Sequence, residues 1–196
     1  ITFRFDQLDR LLKKVIELFP SDADLIVQSA WLYEATGRLD NAIVLFKKAT
    51  IISPGSVDAY LELGTAEEIT GNYVDAEKSF GKVIELSPMH LGALVHLGRC
   101  FYLQGKYQDA EAILKKAIIL NPYDHRVNAN LGLVYLKCGR KDLASRYFGM
   151  ANRLQETNYS ANTRKNYIQL RSILAKRRIK FVCVQYPMRN ITPLKE

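Results

Sequence analysis

Tryptophan occurs once in the 196 residues, and cysteine, histidine and methionine three times each. Three cysteines cannot build a disulfide framework, and Cys100, Cys138 and Cys183 lack the spacing of a metal site. That usage favours a reducing compartment, the cytoplasm. His90, His96 and His125 pair with no cysteine or carboxylate at a ligand spacing, so no metal site is expected. A Gly-rich phosphate loop and a nucleophile elbow are both missing, so the segment is read as non-enzymatic, with no cofactor and no catalytic residue. No apolar run approaches the roughly 18 residues of a membrane helix. The first residues, Ile-Thr-Phe-Arg-Phe, offer no initiator Met, h-region or cleavage site, and read as the start of a piece of a longer protein. A hydrophobic fraction of 48% nevertheless excludes a wholly disordered chain.

The net charge of +8 is unevenly placed. Residues 1–124 hold 13 basic and 17 acidic side chains, whereas 125–196 hold 15 and 3. Residues 57–90 alone sum to −5, and 159–196, with nine basic residues and one acidic, sum to +8. Residues 1–158 therefore sum to zero, and the excess says nothing about what the earlier part binds. A basic tail can attract nucleic acid, but no stacking set or binding module accompanies it, so nucleic acid is not the expected partner.

A period of 34 residues organises most of the chain. Leu63-Gly64 recurs as Leu97-Gly98 and Leu131-Gly132. Gly37, Gly71, Gly105 and Gly139 keep the same step, as do Ala42, Ala76, Ala110 and Ala144. Phe46, Phe80, Leu114 and Phe148 follow, and Pro20, Pro54, Pro88 and Pro122 close the units. Each unit contains two apolar-periodic stretches around a glycine break. Tyr60, Leu63 and Gly64 share one helical face, and Ala76, Phe80 and Val83 share another. Gly71 suits a left-handed helix end, and Pro88 stops the second helix. One hairpin buries only one side, so the units must stack.

The stretch LELGTAEEITGNYVDAEKSFGKVIELSP resembles the tetratricopeptide repeat at its large, small and terminal positions. The resemblance covers residues 23–158 as units 23–56, 57–90, 91–124 and 125–158. Residues 1–22, with a helix over 4–20, resemble the second helix of a truncated preceding unit. Three departures stand out: Ser29-Ala30 replaces Leu-Gly, Glu67 stands where other units place Tyr33, Phe101 and Tyr135, and Glu156 replaces the closing proline. The implied fold is all-α: a right-handed superhelix of tetratricopeptide helix hairpins, followed by a C-terminal basic helix and a short orphan strand.

The resemblance also implies a scaffold that binds a peptide or protein in a concave groove lined by the first helices. Carried over position by position, the lining is Asp24, Val27, Gln28, Trp31 and Glu34, then Asp58, Leu61, Glu62, Thr65 and Glu68. Val95, His96, Arg99 and Tyr102 follow, then Arg126, Ala129, Asn130 and Leu133. The Lys and Asn clamp that holds a C-terminal carboxylate in chaperone-binding members is absent, since those early positions are Val27, Trp31, Leu61 and Thr65. The expected ligand is an extended segment, basic near the second unit and acidic near the fourth. Solvated helix faces alone would also account for such charges.

The period stops near residue 158. Tyr167, Leu170 and Leu174 mark a helix over 161–177 with a basic face, which suits a solenoid cap. Residues 179–186, Ile-Lys-Phe-Val-Cys-Val-Gln-Tyr, read as a strand with unpaired edges, which could pair two copies into a homodimer. Residues 162–195 resemble a helix–strand–loop of SGNH (GDSL-like) hydrolases, without the Gly-Asp-Ser or Asp-x-x-His blocks. The alternative function is thus a partner- or substrate-positioning module of a larger esterase, with its catalytic motifs elsewhere.

Overall fold

The computed structural model describes residues 2–155, with side chains from Gln7 onward. The helix expected over 161–177, the strand over 179–186 and the hydrolase-like stretch lie outside the described residues. The described elements are α1 (Thr2–Leu18), α2 (Ala23–Ala35), α3 (Leu39–Ile52), α4 (Val57–Ile69) and α5 (Tyr73–Leu86). They continue with α6 (Leu91–Leu103), α7 (Tyr107–Leu120), α8 (His125–Lys137) and a helix α9 described over residues 141–155. The fold is an all-α helical repeat, as expected. Helices α2 and α3, α4 and α5, and α6 and α7 pack as hairpins, and α3, α5 and α7 each pack on the helix that follows.

Local chemistry sets the helix ends at the 34-residue step. Asp22, Ser56, His90 and Asp124 are the N-caps of α2, α4, α6 and α8. Each side chain accepts from a backbone N–H in the first turn, with His90 Nδ1 serving where the others use oxygen. At the other end, Gly37, Gly71, Gly105 and Gly139 all have φ between +73° and +82°. Gly37 N–H donates to Glu34 O and Arg38 N–H to Tyr33 O, at 2.8 and 2.9 Å. This pair of hydrogen bonds is a Schellman ending, and it recurs after α4, α6 and α8. It folds the residue after each glycine back toward the residue five positions earlier in the chain.

Packing explains the constant step between small and large positions. A Cβ on Gly64 would lie 2.8 Å from the Phe80 ring, one on Gly98 2.6 Å from Leu114, and one on Gly132 2.7 Å from Phe148. Only glycine lets those helices approach so closely. One apolar cluster runs from Leu12 through α2 and α3 to Ala59, Leu63 and Ala66 on α4. A second is built on Phe80, Val83, Ala93 and Leu97, with Val57, Tyr60 and Leu61 from α4 against it. A third spans α6 to α9, and it shares Ile84, Phe101 and Ile113 with the second. Cys100 is buried, and burial followed by the Glu68 charge pushes its thiol up to about 12. Cys138 is the exposed C-cap of α8.

Candidate functional site

The groove residues named from the repeat register all lie on α2, α4, α6 and α8. They do not share one environment. Gln28, Trp31, Asp58, Arg99 and Arg126 are exposed, Glu62, Thr65, His96, Tyr102 and Asn130 are half-buried, and Glu68 is buried. Thr65 donates its hydroxyl to Leu61 O of its own helix at 2.8 Å. The Tyr102 ring lies 5.8 Å from that of Tyr107.

Trp31 on α2 and Glu62 on α4 are brought together. Trp31 is 45% exposed, and its indole lies against the Glu62 carboxylate. Burial holds the Glu62 carboxyl above the ordinary range. The Trp31 indole opposes this, and the like charges of Glu34 and Asp58 add to it. Among the described residues, Asp24, Glu34, Asp58 and Glu62 have no ion-pair partner. The result is an aromatic face beside carboxylates that repel one another and lack a counter-charge.

Glu68, His96 and Arg99 also meet, but to hold α4 to α6. The Glu68 side chain is 1% exposed. His96 Nδ1 donates to Glu68 Oε2 at 2.7 Å, and its ring stacks on Phe80 with centroids 5.2 Å apart. Arg99 Nε makes an ion pair at 2.8 Å with Glu68 Oε1, an oxygen that accepts no aligned hydrogen bond. A buried carboxylate needs such partners to offset its lost hydration. The Glu68 carboxylate and His96 Nδ1 are thus engaged within the array. At the far end Arg126 is shared with Asp124, with Nη2–Oδ2 at 2.8 Å, so the basic character expected there is partly neutralised.

The register reading missed a second set. The Schellman ending places Arg38 over Tyr33 at 4.9 Å, Lys106 over Phe101 at 5.5 Å and Arg140 over Tyr135 at 5.5 Å. Each cation also reaches an acid on the preceding second helix. Arg38 holds Asp9 with bonds of 2.6 and 2.7 Å, Lys106 bonds Glu77 at 2.8 Å, and Arg140 bonds Glu111 at 3.1 and 3.2 Å. Acid, cation and aromatic form a clasp between consecutive units. The spacing of five between cation and aromatic is visible in the sequence; the acid, 29 residues earlier, is visible only once the units stack.

The corresponding positions at the junction of α3 with α4 and α5 are Ile43, Asn72 and Glu67. Glu67 is 2% exposed and accepts from Ser79 Oγ at 2.7 Å, with Lys47 Nζ 3.4 Å away. Burial still pushes its carboxyl up; Ser79 and Lys47 oppose that shift, and Asp75 adds to it.

Comparison with known proteins agrees with this architecture. Residues 28–155 match the family described as the cilia and flagella-associated protein 70 middle TPR-like domain. Among solved structures, a crystal structure of MamA is 26% identical, with TM-score 0.70, over 77% of this chain and 88% of that one. A second MamA crystal structure is 25% identical, with TM-score 0.69, over 80% and 87%. MamA from Desulfovibrio magneticus RS-1 is 19% identical, with TM-score 0.69, over 76% and 84%, and shows the fold alone. No curated protein matches the sequence. Among the described residues, no helix is long and apolar enough to cross a membrane.

Proposed function

The chain belongs to the family of the cilia and flagella-associated protein 70 middle TPR-like domain, and from that premise we propose that it is a non-catalytic scaffold binding a protein segment along its first helices. The binding unit proposed is the four-unit array 23–158. The observation that carries the reading is Trp31, exposed beside Glu62, Glu34 and Asp58 without a counter-charge. A partner lysine or arginine would stack on the indole and neutralise the carboxylates, and a buried aromatic anchor is a common centre of binding energy. The partner is therefore an extended segment that is basic where it crosses α2 and α4. Gln28, Leu61 and Thr65 extend the row, and Tyr102, Arg99, Asn130 and Arg126 continue it toward α8. Charge selection rests on the first and second units, because Arg99 and Arg126 already have acidic partners. The family is named for association with cilia and flagella, so ciliary proteins are the partners to seek first.

Fluorescence anisotropy with a labelled lysine-rich peptide tests this. Trp31→Ala and Glu62→Lys should each weaken binding by about tenfold or more, as hot-spot truncations do. Glu68→Gln should act mainly on stability, since its carboxylate is buried. Equal affinity for wild type and Trp31→Ala would contradict the reading.

A further inference from the structure

We infer that the array is two blocks, residues 2–52 and 57–155, meeting at a joint between α3 and α4 that opens before either block unfolds. Three features coincide there. The first is the missing clasp. Asp9–Arg38–Tyr33 ties α1 to the α2–α3 hairpin, Glu77–Lys106–Phe101 ties α5 to α6 and α7, and Glu111–Arg140–Tyr135 ties α7 to α8 and the turn before α9. At the α3–α4 joint all three members are replaced together, by Ile43, Asn72 and Glu67.

The second feature is the core. The apolar clusters on the C-terminal side share Ile84, Phe101 and Ile113, so packing runs on without a break. The N-terminal cluster reaches across the joint to Ala59, Leu63 and Ala66 of α4 but shares no member with its neighbour, to which the other side of α4 gives Val57, Tyr60 and Leu61. The third feature is polar. α4 buries two adjacent carboxylates, Glu67 and Glu68, and among the described residues the joint is spanned by the Lys47–Glu67 ion pair at 3.4 Å and by the Trp31 indole against Glu62. In a stacked array each unit contacts only its neighbours, so the weakest junction sets where partial opening occurs. If the groove reading is right, the device also regulates it, because the Trp31–Glu62 pair straddles the joint and exists only when it is closed.

Native-state hydrogen exchange on the whole chain, without ligand, tests the joint separately from any binding. Amides of α2 and α3 should exchange through one shared opening, about tenfold or more faster than those of α5–α7, with a step between Ile52 and Val57. Restoring the clasp with I43E, E67Y and N72R should reduce that step severalfold. E67Y with N72R, which leaves buried Ile43 in place, should reduce it in part. A smooth gradient from the N-terminus, a step elsewhere, or a step untouched in both folded variants would overturn the inference.

Discussion

Glu67 shows how one residue can depart from a repeat pattern and leave a readable physical trace. Where neighbouring units place an aromatic ring, this unit buries a carboxylate and holds it with Ser79 and Lys47. Burial outweighs those partners and raises its pKa in the fold. A raised carboxyl pKa means that the ionised group costs stability at neutral pH. The cost falls away as pH drops through the folded value toward the unfolded one. Glu67→Gln should therefore stabilise the chain near pH 7, by about 1 kcal/mol, as neutralising a poorly compensated buried charge can do. The gain should shrink on acidification to about pH 4. Thermal unfolding at the two pH values checks this; a loss of stability at neutral pH would mean that the Lys47 pair outweighs desolvation.

Between elements, the clasps carry the opposite pH dependence. The Arg38 hydrogen bonds hold Asp9 below the usual carboxylate range. Burial raises Glu77, but bonds from Lys106 and Gln104 outweigh it and the result is lowered. Glu111 is lowered by Lys115 first, with Arg140 adding after burial opposes. For these acids the folded pKa lies below the unfolded one. Their contribution is present above the unfolded value of about 4 and is lost as pH falls through the folded values. The pairs are partly exposed, so Lys106→Gln should cost no more than about 1 kcal/mol at neutral pH. The difference from wild type should close below about pH 4, read by urea midpoints against pH; a constant difference would assign the effect to packing on Phe101. At this scale the sequence was informative about whatever is local. Caps, glycine endings and the cation–aromatic spacing lie within a few residues of one another. The third member of each clasp, and the turning of Glu68 toward His96 and Arg99, come from neighbouring helices and have no local signature.

At the scale of the whole array, the 34-residue step anticipated the helix order, the Gly64–Phe80 approach and the rows of the first helices. It did not separate first-helix residues left open to solvent from those that hold the array together. Glu62 and Glu68 sit on the same helix with the same charge, yet one adjoins an exposed indole and the other is engaged by α6. Burial, which depends on the neighbouring unit, distinguishes them. The central claim is that a cationic segment docks on Trp31 among the carboxylates of the first two units. Trp31 is the chain's one tryptophan, so its emission reports on that place without a label. The decisive measurement is a titration of Trp31 fluorescence with an extended lysine-rich peptide and with its glutamate counterpart. The account predicts a saturable change with the lysine peptide that is lost in Glu62→Lys, and no change with the glutamate peptide. Equal responses to both peptides, or no response to either, would contradict it.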